Sequence, residues 1–287
     1  MRVSLPLACS VCAAVCAAQA QVLTKANNAN ALSLATSWAE GLAPTPAHTL
    51  VWDSTLSTPA YSNAAMGAGF EAKGLSVENP GADVRISGAT LTLTNGAAGI
   101  TVTGARNLYI DTPLVTTPGA TQSWTAAAGR QLGFGRTVSL GAGSVSLVGT
   151  GTVAFAEKLE DLAGRAAPLA VTWSGPAGTF ATAASRKNLI LTDRGSGEVT
   201  VSFDSGSLAV SAANDNYGMA VGMKQKETWN ISGGTVAVDS GSALHIGGAG
   251  NYAAATGEGV VNLSGSGRLV AQGTLPQIGR ASCRERV

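Results

Sequence analysis

Catalysis needs nucleophiles, acids, bases or metal ligands held close together, so the residues able to supply them come first. The chain contains two histidines, His48 and His245, and four cysteines, Cys9, Cys12, Cys16 and Cys283. Two imidazoles exclude a three-histidine zinc site, and all four thiols lie in terminal segments that stand apart from the body of the chain. His245 sits between Leu244 and Ile246 on an alternating segment, where it is expected to face solvent. Ser266, in Gly265-Ser266-Gly267, lacks the strand–nucleophile–helix setting of a nucleophile elbow. Gly141-Ala142-Gly143 and Gly247-Gly248-Ala249-Gly250 lack the Lys-Ser/Thr of a phosphate loop and read as corner turns.

Carboxylates remain. A glycosidase needs two carboxyls roughly 5 to 10 Å apart in a cleft. Asp193, Asp204, Asp215 and Asp239 are scattered, and a lyase-like site would also need Lys224, Lys226 or Arg194 brought beside them. Asp204-Ser205-Gly206 and Asp239-Ser240-Gly241 share one pattern and are expected to be equivalent turns of a repeat. No paired-Asp motif and no Gly-Gly-x-Gly-x-Asp calcium repeat occurs. No catalytic, cofactor-binding or metal-ligating residue is therefore assigned, no cofactor is expected, and the chain reads as a non-enzyme.

The elements that would position any site are legible in the composition and its period. Of 287 residues only 12% are charged and 5% aromatic, while 37 are Gly. A helical bundle would carry more charge and less Gly, and a disordered chain would be less hydrophobic than this one, at 45%. A formal charge of +1 gives no basic footprint for nucleic acid. From Val84 onward short alternating segments recur, such as Leu91-Thr92-Leu93, Val145-Ser146-Leu147 and Leu208-Ala209-Val210. Their period of two predicts strands with one buried face, and their close spacing leaves no room for helical crossovers. Asn230-Ile231-Ser232-Gly233-Gly234 is echoed by Asn262-Leu263-Ser264-Gly265-Ser266, a stacked-repeat signature. The expected fold is all-β: a β-solenoid over residues 84–277, with Leu91, Leu93, Val145 and Leu147 facing inward. Residues 21–83 are expected to form an N-terminal cap and first irregular rungs, with Trp38 and Trp52 closing the core. Loop insertions are expected near 156–165, 214–225 and 247–259, the first holding a short helix or a corner-loop excursion over Ala156–Ala163.

Both ends differ from the body. Arg2 followed by an apolar run and Ala18-Gln19-Ala20 predicts a Sec-type signal peptide over residues 1–20, cleaved before Gln21. The run is shorter than the roughly 20 residues that span a bilayer, so no membrane span is expected in the mature chain. Residues 278–287, Ile-Gly-Arg-Ala-Ser-Cys-Arg-Glu-Arg-Val, match residue for residue the translation of a short-read sequencing adapter. They read as non-native, with the natural frame broken near 275–277, and are expected to pack against nothing. Residues 21–277 then carry 14 Lys and Arg against 16 Asp and Glu, with no Cys.

Asn30-Ala31-Leu32-Ser33-Leu34 with Ser37-Trp38, then Val51-Trp52-Asp53-Ser54-Thr55, resembles the N-terminal region of autotransporter-associated β-strand repeat proteins. The likeness continues through Gly74-Leu75-Ser76-Val77 and Asn107-Leu108-Tyr109-Ile110, and the Asn230 and Asn262 repeats resemble the Asn-x-Ser-Gly-Gly rungs of bacterial surface proteins. The resemblance implies a right-handed, single-stranded parallel β-helix, exported and displayed at the outer cell surface as an adhesin-like passenger. It implies extracellular glycans or host and neighbour-cell surfaces as partners, and a C-terminal translocator or sorting region that is missing here. The alternative is an extracellular carbohydrate-active β-helix enzyme, a polysaccharide lyase or hydrolase. A groove with two or more carboxylates and a Lys or Arg would favour that alternative; an even Ser/Thr face would favour the passenger.

Overall fold

The computed structural model describes residues 21–94, 98–182, 189–212, 218–239, 242–247, 257–272, 277–278 and 281–285. Each turn of chain lays down three short strands, and each strand pairs in parallel with its counterpart one turn later. The result is an all-β parallel β-solenoid with three faces. Strands such as Ala120–Ala126, Gly143–Gly149 and Glu227–Ile231 build the first face; Gln131–Phe134 and Thr152–Phe155 belong to the second, Val138–Leu140 and Leu159–Asp161 to the third.

Alternation decides which way each side chain points, because successive residues of a strand face opposite sides. Register then stacks like on like. Leu75, Ile100, Trp124, Leu147, Trp173 and Phe203 form one inward row on the first face, every step in pairing register and every member buried. Leu91, Leu93, Val145 and Leu147 all face the core, as their spacing requires. On the second face Phe134, Phe155 and Phe180 stack with centroids 5.0 and 5.9 Å apart. Trp124 extends this pile at 5.2 Å from Phe134.

The corner between the first two faces shows what glycine does here. Gly149, Gly175, Gly206 and Gly234 stack there with φ of 103°, 106°, 92° and 72°. A Cβ on Gly175 would lie 2.3 Å from the carbonyl oxygen of Gly149, and one on Gly234 2.3 Å from that of Gly206. Positive φ and this close approach both exclude other residues. At two turns the strand does not break at all: Leu169–Thr182 and Val199–Ala212 run round the corner through a register shift near Ser174.

Four expectations change. The parallel ladder begins upstream of Val84, with Gln21–Thr24 on His48–Trp52 and the latter on Gly74–Val77, so residues 21–83 include regular rungs. The helix expected over Ala156–Ala163 is absent; Leu159–Asp161 is a third-face strand between Val138–Leu140 and Leu189–Ile190. Ladder pairing and burial of Leu159 outweigh the helical preference of a short charged run. Met219–Val221 likewise is a strand inside the expected 214–225 insertion, while residues 213–217 and most of 247–259 lie outside the described residues. The tail also differs from expectation. Ala281–Glu285 pairs in parallel with Gly259–Leu263, and Gln277–Ile278 with His245–Ile246. An open strand edge offers backbone N–H and C=O groups to any extended segment, whatever its side chains.

Trp38 and Trp52 close the N-terminal end as expected: both are buried, edge to face at 5.9 Å. Trp38 Nε1 donates to the Leu32 carbonyl at 2.8 Å. Beside them Lys25 is buried, its ammonium donating to the carbonyls of Ala26 and Asn28 and to Asn28 Oδ1. Desolvation lowers its pKa to about 8.

The aromatic pile predicts the cost of emptying it. Phe155→Ala should destabilise the folded chain by about 3–5 kcal/mol, whereas Thr172→Ala on the outer surface should cost under about 0.5 kcal/mol. Urea unfolding followed by circular dichroism measures both; equal costs would mean that Phe155 is not a core residue.

Candidate functional site

Of the scattered carboxylates and cations, Asp193, Arg194, Lys224 and Lys226 come together at one place, the corner where the third face turns into the first. Three successive turns supply Glu160, Asp161 and Arg165; Thr192, Asp193 and Arg194; and Lys224 and Glu227. Arg194 pairs through Nη1 with Glu160 Oε1, and Lys158 Nζ lies 3.8 Å from Glu160 Oε2. Lys224 Nζ lies 3.1 Å from Asp193 Oδ1, with both side chains partly exposed. Two cations named from sequence, Arg194 and Lys224, therefore do meet carboxylates from neighbouring turns. Lys226 is exposed at the same corner, and its carbonyl accepts the Val199 N–H.

Deeper in the corner the groups serve the backbone. Asp161 occupies an inward position in line with Leu140. Its carboxylate accepts the N–H groups of Asp193, Arg194 and Gly195 from the next turn, at 3.1, 2.9 and 2.6 Å. Arg165 Nη2 lies 3.4 Å away with both side chains fully buried, and the guanidinium also donates to the Ala167 and Gly197 carbonyls at 2.8 Å. One turn on, Glu227 accepts from Trp229 Nε1 at 2.7 Å, Gly222 N at 2.9 Å and Thr192 Oγ1 at 3.0 Å. Burial raises its pKa to about 7, with three donors opposing the shift and the Asp161 charge adding to it.

The other candidates do not converge. Asp204 sits on the exposed first-to-second corner, where Ser174 and Ser232 hydroxyls from the flanking turns donate to it at 3.2 Å. Asp239 follows Val238 at the second-to-third corner, and its N–H donates to the Val210 carbonyl. Asp204 and Asp239 thus lie at different corners and not at equivalent turns, while Ser240 and Gly241 lie outside the described residues: a short sequence likeness cannot distinguish one bend from another. Asp215 lies outside the described residues. His245 holds an outward position on its strand, and His48 is a buried rung residue whose Nδ1 contacts the Thr45 N–H at 3.0 Å. All five Trp are buried, so none offers an exposed stacking surface. Among the described residues no group of three or more His, Cys, Asp or Glu is placed to hold a metal ion. No helix among them is long and apolar enough to cross a membrane.

What the chain does expose is a hydroxyl-rich sheet. On the first face Ser123, Ser146, Thr172, Ser202, Asn230 and Asn262 form one outward row in pairing register. Beside it run Thr121, Ser144, Ala170, Thr200, Thr228 and Val260. Neighbouring rungs lie about 4.8 Å apart, so the polar groups repeat on a flat lattice. The two rows contain no charged residue. At their end Asn262 Nδ2 donates to Asn230 Oδ1 at 2.8 Å, so the echo seen in sequence is a stack of amides in space. Comparison with protein-family models, with curated proteins and with solved structures gives no match to this chain.

Sequence reading missed Glu160, Asp161, Arg165 and Glu227. The charged run that looked helical concealed the first two, and Glu227-Thr228-Trp229 carried a signal only in its alternation, which puts Glu227 on the same side as Trp229.

Glu227 gives the corner a pH signature. The unfolded carboxyl titrates near its ordinary value of 4.5 and the folded one near 7, so the folded state binds the extra proton between them. Its contribution is complete below pH 4.5 and is lost as pH rises through 7. Wild-type stability should fall across this window by up to about 3 kcal/mol relative to Glu227→Gln. Urea midpoints at pH 4.5, 6 and 8 test this; parallel profiles would remove Glu227 as the cause.

Proposed function

We propose that the chain is an exported, non-catalytic, adhesin-like passenger that binds extracellular surfaces through its neutral first face. The observation that carries the reading is the pair of uncharged outward rows spanning six successive turns, from Thr121 to Asn262. Each hydroxyl or amide contributes little alone, but a periodic array engages a repetitive polymer or cell coat at many points, so weak contacts accumulate. The β-solenoid supports a likeness to autotransporter-associated repeat proteins at the level of architecture. The signal-like character of residues 1–20 supports export. Glycans or neighbouring cell surfaces are the partners of this reading, and a translocator or sorting region would supply attachment.

A second reading, a carbohydrate-active enzyme, is favoured by one observation: Asp193 with Lys224 and Glu160 with Arg194 share a corner. Against it, each carboxylate there already has a cation, and Asp161 and Glu227 are committed to backbone and indole donors. A general base would have to leave its partner before it could act.

Purified protein should be retained on bacterial or host-cell surface polysaccharide, and Ser146→Glu with Ser202→Glu, two turns apart on the same row, should weaken retention at least tenfold without changing the melting temperature. Incubation with pectin, alginate and similar polymers, with and without calcium, should release no unsaturated or reducing ends. Release that disappears in Asp193→Ala or Lys224→Ala would establish the enzyme instead. N-terminal sequencing of the exported protein should begin at Gln21.

A further inference from the structure

We infer that a depression on the second face, between Tyr109 and Thr179, is a binding subsite for one or two neutral sugar residues. The inference rests on the surface-binding reading and locates a specific contact within it. The depression has a volume of about 270 Å³, just below the range of pockets that take drug-sized ligands. It follows the outward row Arg85, Tyr109, Gly133, Ala154 and Thr179, which runs in pairing register over five turns.

Two large residues are followed by small ones, and that order makes the hollow. Gly133 has no side chain, and a Cβ there would sit 2.8 Å from Tyr109 Cδ1, so the phenol ring leans into the space that Gly133 leaves. Gly135 does the same for Asp111, whose Oδ1 would lie 2.2 Å from a Cβ. Ala154 then provides a low floor, and the exposed Thr179 hydroxyl borders the far side. The Arg85 guanidinium lies 4.9 Å from the Tyr109 ring centroid and also pairs with Asp111. Tyr109 and Gln131 meet through Oη and Oε1 at 3.4 Å.

This is the chemistry of carbohydrate recognition. The ring edge and the alanine floor suit the C–H surface of a pyranose. Arg85, Asp111, Gln131 and Thr179 present donors and acceptors on planar or hydroxyl groups, with capacity left after their own contacts. Arg85 and Asp111 cancel in charge and are the only ionisable pair at the rim, so a uronic acid gains nothing over a neutral hexose. A partly exposed pocket of this size, with a handful of polar contacts, implies millimolar affinity per site, which the repetition of a surface polymer would multiply.

The test uses the full chain with maltotriose, cellotriose, galactotriose, mannotriose and trigalacturonate as probes, followed by saturation-transfer NMR and titration. At least one neutral trisaccharide should bind, at least fivefold more tightly than trigalacturonate. Ala154→Trp fills the hollow from outside the core and should reduce that binding at least tenfold, as should Asp111→Ala, with unchanged circular dichroism and melting. Retention on whole polysaccharide through the first face should survive Ala154→Trp. Absence of binding by every neutral probe, preference for trigalacturonate, or binding unaffected by Ala154→Trp would each overturn the subsite while leaving the surface-binding reading intact. Loss of retention on all surfaces by the wild type would instead remove the surface-binding reading itself.

Discussion

Parallel register between successive turns is the constraint on which everything else rests. A turn of this chain is too thin to bury a core alone; its strands gain partners only from the turns above and below. Pairing aligns position with position, so any residue type that suits a site is asked for again one turn later. The inward rows of aliphatic and aromatic residues, the glycine corner and the Asn230–Asn262 stack are three expressions of the same demand. Function inherits it: an outward residue becomes a row, and a row becomes a surface.

The same constraint explains where charge can go. A charge repeated at one ladder position would place like charges about 4.8 Å apart, which is destabilising for directly opposed residues. The first-face rows from Thr121 to Asn262 avoid this with uncharged residues, and many of the charges gather at corners, where each turn differs. There an acid on one turn meets a base or a row of N–H groups on the next. Asp161 and Arg165 are the extreme case, since neither could be buried alone without costing several kcal/mol. Their bonds to the Gly195 and Gly197 backbone fix how one corner sits on another, which hydrophobic contact cannot specify.

Legibility from sequence followed the strength of each periodic signal. Strands with strict alternation, such as Leu91–Leu93 and Leu244–Ile246, were readable because burial on one side dictates their pattern. The Asn echo was readable because an amide pays to be stacked on an amide at a fixed register. Leu159–Asp161 was not: its inward position holds Asp161 instead of an apolar residue, and only the Arg165 partner and the three N–H donors make that tolerable. The corner cluster was hidden for the same reason. Its bonds between turns join residues 26 to 35 apart in sequence, and a turn length that varies from rung to rung gives no fixed spacing to search for.

Surface and corner are therefore unlike in what they can do. Corner groups are held by bonds across turns, and drawing any of them into chemistry would loosen the stack that positions it. Outward hydroxyls on the first face, such as Ser146 and Thr172, are positioned by the backbone ladder, so they can exchange water for a ligand at little cost to the fold. The hollow beside Tyr109 has an intermediate character: Arg85 and Asp111 pair across turns, yet both remain partly exposed, and the glycines beneath keep the floor open. The first-face rows open to a ligand are uncharged, and the corner carboxylates already hold donors from neighbouring turns, which supports the proposed reading of recognition without turnover.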